Sequence, residues 1–280
     1  MRTRLGKVFV YAALLAWTLV VVAPLFWMVT TSFKNPPDVF LGPRFLPGVD
    51  FAPTARWWVR IFTVERDTLL RPLANSLIIA GTSAVVATVL GALAAYALTR
   101  FQFKFGPMKN ENILFWIVSQ RIMPPIVVVF AVFLMFRVTR LLDTHIGLIL
   151  VYIAFNIPLA VWIMSNFLAQ IPRSVEEAAT VDGASPATAF FRVVLPMVTP
   201  SLSATFLICF VFAWNEFLFS LILSFARTQT MPLLIAAQHF QRGPQWWDIS
   251  ALSTLAVLPP IVITVALQKY FVKGLTLVGK

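Results

Sequence analysis

Charged side chains are scarce in this 280-residue chain: they make up 12% of it, against 59% hydrophobic residues and a mean hydropathy of +0.85. Soluble domains carry about 25% charge, so most of this surface has no means of meeting water. A polytopic membrane protein follows. Cysteine is all but missing. Cys209 stands alone inside an apolar run, which excludes a disulfide framework within the chain. His145 and His239 are the only histidines, far apart in sequence, so a metal centre of thiolate or imidazole ligands is excluded and no resident cofactor is expected. Acidic residues are also few, 11 against 22 basic ones, leaving a formal charge of +11. The cations are scattered between apolar runs, the pattern of residues flanking membrane spans and not of a nucleic-acid groove.

What is present in abundance is long apolar sequence. A bilayer-spanning helix needs about 20 such residues, and six runs qualify, near 8–33, 73–99, 113–137, 145–169, 200–225 and 250–272. The first follows Arg2, Arg4 and Lys7 but is too long for a signal-peptide core of about 7–15 residues, so it reads as a retained span. Those three cations favour a cytoplasmic N-terminus. Segments 100–112 and 170–199 and the C-terminal tail then lie inside, and 34–72, 138–144 and 226–249 outside. The expected fold is all-α, one transmembrane domain over 1–280 with about six helices. Ala87, Gly91 and Ala95 recur every four residues in the second run, a spacing that lets helix backbones approach closely in lipid.

One segment breaks the apolar pattern: "PRSVEEAATVDGASPATAFFRVVLP", residues 172–196. Ser174 with Glu177 three residues later has the spacing of a capping box. Gly183 suits a left-handed helix end, and Ser185 followed by Pro186 suits a second helix start. The spacing predicts a helix, a glycine corner and a second helix reaching about Val194.

Within it, Glu177-Ala178-Ala179, three residues, Gly183, nine residues and Val193-x-Leu195-Pro196 resemble the EAA signature of ABC-importer permeases, with Val in place of the usual Ile. "PLFWMVTTSFKNP", "NSLIIAGTSAVVATVLGALAAYALTRFQF", "FAWNEFLFSLIL", "TMPLLIAA" and the "KGLT" tail resemble the second, maltose-type permease of carbohydrate uptake over nearly the whole chain. The resemblance implies a bacterial inner-membrane subunit that imports a carbohydrate or polyol by alternating access. Its implied partners are a second permease, a dimer of cytoplasmic ATPases that hold ATP and Mg, and an extracytoplasmic solute-binding protein. It further implies that Glu176, Glu177, Ala178, Ala179, Asp182, Gly183, Ala184, Leu195 and Pro196 belong to a cytoplasmic coupling hairpin that docks on the ATPase. The tail is implied to reach the ATPase as well, although its cations also suit a plain membrane anchor.

Two further features bear on function. Gly274-x4-Gly279-Lys280 mimics the start of a phosphate-binding loop but lacks the following Ser or Thr and helix, so nucleotide binding by this chain is not expected. Arg121 and Glu216 fall inside apolar runs, where ionisable groups are costly and mark pathways or pairs. At 1.5 Å per residue they sit roughly 12 Å and 24 Å from the same side, which favours separate partners while leaving a direct pair open. Trp214, Asn215 and Glu216 suit either a sugar route or helix packing. Asn156 and Pro158 are expected to interrupt the fourth run. No catalytic constellation is visible. An ion-coupled transporter using Arg121 and Glu216 is the competing function, and it leaves the charged hairpin without a role.

Overall fold

The computed structural model describes residues 4–104, 106–240 and 244–278, with side chains described for 6–104, 106–238 and 244–270. The chain is helical, with no strand among the described residues. In order the helices are α1 (Arg4–Thr31), α2 (Pro36–Phe40), α3 (Arg56–Thr63), α4 (Arg66–Arg100), α5 (Asn110–Ser119), α6 (Pro125–Thr139) and α7 (His145–Leu168). There follow α8 (Arg173–Val181), α9 (Pro186–Ala189), α10 (Leu195–Met197), α11 (Thr199–Trp214), α12 (Leu218–Leu223), α13 (Met231–Phe240) and α14 (Trp246–Val278). Among the described residues four helices are long and apolar enough to cross a membrane, or six if each of two bent pairs is one span.

The first pair bends inside the third run, and the second bends at Val198, just before the fifth run begins. Asn110–Ile122 meets Pro125–Thr139 at 88°, and Pro186–Met197 meets Thr199–Trp214 at 75°. The first bend falls at Pro124 and Pro125, which cannot donate to the preceding turn. The fifth run breaks again between Trp214 and Leu218. The fourth run, conversely, stays helical through Asn156 and Pro158, so the expected interruption there is absent.

Contacts group the chain into two units, 1–71 with 234–258, and 72–233 with 259–280. In the first, the Trp57 indole donates to Lys34 O at 2.8 Å and Trp58 to Ser32 Oγ at 3.1 Å, tying α3 to the chain just after α1. Lys34 is fully buried, with Nζ 3.7 Å from the centre of the Trp27 ring. Trp57 stacks on Trp247 at 5.2 Å, so Trp247 is a packing residue here. None of the most apolar window of α1 is buried within the chain.

In the second unit, α4 and α7 meet at Gly91. A Cβ there would lie 2.5 Å from Ala160 Cβ and 2.9 Å from the Ala160 carbonyl carbon. Ala80, Ala84, Ala87 and Ala95 are all buried along α4. The small-residue spacing is therefore a helix contact, held by close packing as lipid requires. At one end of this unit, Asn75 donates to Arg227 O (2.9 Å) and Gln229 O (3.0 Å), while His145 Nε2 lies 2.8 Å from Asn75 Oδ1. Asp143, between α6 and α7, accepts from the backbone N–H groups of Phe225, Ala226, Arg227 and Thr228 at 3.0–3.2 Å. Thr228 Oγ1 adds a bond of 2.9 Å. Burial alone would raise the Asp143 carboxyl, but these hydrogen bonds outweigh it and hold the group below the ordinary aspartate range.

Candidate functional site: a strapped surface hairpin and a polar cavity

Residues 172–196 form the expected hairpin, with one difference at its start. Pro172 occupies the N-cap of α8, and no side chain caps it. Ser174 therefore lies inside the first turn, and the expected capping box is not made. Pro172 takes the cap position instead, and the helix starts at Arg173, two residues before the Val175 start that a Ser174 cap would set. The end of α8 follows expectation. Gly183 has φ +86°, its N–H reaches Thr180 O at 3.0 Å, and Ala184 N–H reaches Ala179 O at 2.9 Å. This is the paired-bond helix stop that a left-handed glycine permits. Ser185 then caps α9 through Thr188 N at 3.2 Å, with Pro186 in the first turn.

Beyond α9 the chain does not continue as a simple α-helix. Phe190–Val194 winds as a π-helix, with Leu195 N–H bonded to Phe190 O. Phe190 and Val194 join Ala92, Ala95, Tyr96, Met164, Leu168 and Val198 in one apolar cluster, against which Leu195 packs. The hairpin is thus seated on α4 and α7 by its second half. Pro196 is exposed within α10.

Its first half is strapped by charge. The Glu176 carboxylate takes a hydrogen bond from Tyr96 Oη at 2.8 Å and a charged one from Arg100 Nε. Arg100 Nη2 also reaches Ile171 O at 3.0 Å, and Arg173 Nη2 reaches Thr99 O at 3.1 Å. Glu177, Ala178, Asp182 and Gly183 stay exposed, while Ala179 and Ala184 are half-buried. Val181 is 87% exposed, an apolar side chain left uncovered at the hairpin's corner. The two adjacent glutamates of the segment therefore differ: Glu176 is spent inside the chain and Glu177 is presented.

The intramembrane candidates divide in the same way. Arg121, Asn156 and Glu216 line one cavity of about 180 Å³ in company with Tyr152 and Phe155. Arg121 and Glu216 form no ion pair: Arg121 Nη1 donates to Phe155 O at 2.6 Å, and Glu216 accepts from Phe219 N at 3.0 Å. Trp214 is buried and stacks on Phe210 at 5.6 Å, and Asn215 donates to Val211 O at 2.8 Å. Neither lines that cavity. Sequence reasoning missed Tyr96, Arg100 and Tyr152. Arg100 carried a signal, as a cation ending a long apolar run, whereas nothing local marks either tyrosine. The tail residues Gly279 and Lys280, and with them the loop-like pattern, lie outside the described residues, as do the side chains of Lys273 and Gly274's neighbours.

Residues 87–277 match the family described as the binding-protein-dependent transport system inner membrane component. This chain belongs to that family. It is 34% identical over 258 residues to a trehalose transport system permease of Mycobacterium tuberculosis, covering 90% of each chain. It is 31% identical over 255 residues to a trehalose/maltose transport system permease of Thermococcus litoralis, covering 90% of this chain and 89% of the relative. A chain in the crystal structure of a bacterial ABC transporter that imports the acidic polysaccharide alginate has the same fold. The TM-score is 0.70 at 22% identity, over 97% of this chain and 99% of that one. Permease membership makes this a multi-pass membrane subunit and not itself an enzyme.

Proposed function

We propose that the chain is the second permease of an ATP-driven importer for a carbohydrate or polyol, one transmembrane domain forming half of the translocation pathway. The observation that carries this reading is the hairpin. At its corner Glu177, Ala178, Asp182 and Gly183 stand exposed while Glu176 and the apolar cluster fix its other face to α4 and α7. A segment presented on one side and anchored on the other can pass a push from a docked partner into the membrane helices. The partner is a cytoplasmic ATPase dimer that holds ATP and Mg, and Glu177, Ala178, Asp182 and Gly183 form the docking corner. The N-terminus, the hairpin and the tail face the cytoplasm of a bacterial cell, and a loaded extracytoplasmic binding protein approaches from the other side. The sugar chemistry of the two named relatives supports the substrate class. Arg121, Asn156 and Glu216 belong to the solute route, whereas Trp214 packs on Phe210 and Asn215 bonds back to its own helix.

Reconstitution of the chain with its second permease, ATPase and binding protein tests the proposal. Uptake is expected to require ATP inside the vesicles and to survive a protonophore. Uptake that a protonophore abolishes while ATP is present would return the function to ion coupling.

A further inference from the structure

Two interrupted segments and one continuous helix, α7, converge on the 180 Å³ cavity. Arg121 lies in the 3-10 turn Gln120–Ile122, between α5 and the bend into α6. Glu216 lies in the gap between α11 and α12, and Tyr152 and Asn156 come from successive turns of α7. Interrupted helices in a membrane protein are tolerated where they are buried in protein or line a cavity, and that is where solute sites form.

The cavity's polar groups are incompletely used. Asn156 is 3% exposed; its Nδ2 donates to Cys209 O at 3.4 Å, but Oδ1 has no hydrogen-bond partner. Tyr152 is 2% exposed, its hydroxyl beside the Glu216 carboxylate without a well-formed hydrogen bond. Arg121 spends one N–H on Phe155 O and lays its guanidinium 4.6 Å from the Phe212 ring, leaving other donors over. Glu216 by contrast is well used, capping α12 through Phe219 N (3.0 and 3.2 Å) and Ser220 N (3.3 Å). Buried acceptors without partners are rare in proteins and call for an occupant.

The chemistry narrows the occupant. One guanidinium and one carboxylate balance in formal charge, so a charged ligand would meet one group of its own sign. A hydroxyl both donates and accepts, and so serves Asn156 Oδ1 and the spare Arg121 donors alike. Phe155, Phe212 and Phe219 supply apolar faces for the C–H side of such a molecule. Size narrows it further. At about 30 Å³ per water the space equals about six waters, below the roughly 300 Å³ at which drug-sized sites begin.

We infer that this cavity receives one neutral polyhydroxylated unit of the solute, a single sugar ring or a polyol of similar length, with Asn156 and Arg121 as its hydrogen-bond partners. The inference rests on the importer reading and adds to it a site within this subunit. It makes Tyr152 a further ligand.

The test uses the full complex in proteoliposomes, with radiolabelled sorbitol, glucose and maltose as probes. Asn156→Leu removes the unpaired acceptor at similar size. Ala213→Val narrows the cavity, which Ala213 also lines, without removing a polar group. Both variants are expected to lower uptake of the imported probe at least tenfold, with ATPase stimulation by loaded binding protein kept within twofold of wild type. Wild-type uptake in assembled Asn156→Leu and Ala213→Val complexes overturns the site, and so does parallel loss of uptake and stimulation. If Asn156→Leu fails to assemble, Ala213→Val alone decides. Wild-type uptake that needs no ATP overturns the importer reading, an outcome separate from failure of the cavity.

Discussion

Tyr96 Oη donates to Glu176 Oε2 at 2.8 Å, across 80 residues of sequence, while Arg100 holds the other oxygen of the same carboxylate. The pair is shielded: the side chains of Arg100 and Glu176 are 8% and 15% exposed. Removing one member of a shielded ion pair leaves the other charge uncompensated, at a cost of about 3 kcal/mol. Glu176→Ala is therefore expected to lower the Tm of the purified complex. In a double-mutant cycle, adding Arg100→Ala should cost much less than it does alone. Additive losses would show that the two charges do not sense each other.

The corner at Gly183 allows a cleaner separation of folding from docking. A Cβ on Gly183 would meet nothing within 4 Å in this chain, so only its φ of +86° resists substitution. Gly183→Ala should cost about 1–2 kcal/mol, the penalty of a left-handed L-residue. Gly183→Trp should insert and fold comparably but, under the proposed docking, lose ATPase stimulation by loaded binding protein, because the indole would occupy the open space at the corner. Full stimulation with the indole in place would remove the corner from the docking surface.

Gly91 and Gly81 make a matched pair for testing helix contact. Both lie in α4, but a Cβ at Gly91 strikes Ala160 at 2.5 Å whereas one at Gly81 meets nothing within 4 Å. Gly91→Ala is expected to destabilise by about 1–3 kcal/mol through overpacking. Gly81→Ala should be neutral or stabilising by roughly 0.5–1 kcal/mol, the usual helix gain over glycine. Thermal unfolding of the solubilised complex reads both. Equal effects would mean that α4 and α7 are less closely apposed than Ala160 indicates.

Asp143 predicts a pH dependence confined to one loop. Its carboxyl is held below the usual range, so its stabilising contribution is complete above the unfolded value of about 3.9 and is lost as pH falls through the lower folded value. Hydrogen exchange of residues 225–228 should stay slow from neutral pH to about pH 4 and quicken below it. Asp143→Asn should speed that exchange already at neutral pH, by about 2 kcal/mol of local stability, and flatten the difference in acid. Equal protection in the two proteins at neutral pH would discount the carboxylate's role.

The parts of this fold that were legible in the sequence are those written in composition or short spacing. Apolar runs announce themselves by length, and the Gly183 stop and Ser185 cap by residue type at the right offset. Direction is not written that way. Hydropathy over 113–137 is the same whether the chain runs straight or turns 88°, and only Pro124 and Pro125 hinted at the turn. Asn156 and Pro158 gave the opposite error, since packing around α7 keeps it helical where local propensity objects. For the sites, Arg121 and Glu216 were visible as charges out of place. Tyr96 and Tyr152 were not, because a tyrosine in an apolar helix looks the same whether its hydroxyl meets lipid headgroups or a buried carboxylate.

The π-wound turn at Phe190–Val194 gives the nine residues between Gly183 and Val193 a geometric meaning. A bond from Leu195 N–H to Phe190 O spans five residues where an α-turn spans four, so the hairpin carries one residue more than a regular helix would use. That surplus swings every later side chain about 100° round the axis, while Phe190 and Val194 keep to one cluster. Substitutions in this stretch can be absorbed one side chain at a time. A deletion of one residue cannot, since it would restore the ordinary winding and rotate Leu195 and Val198 off the apolar cluster. The count of residues here is itself a ruler, set by the winding and not by any one side chain.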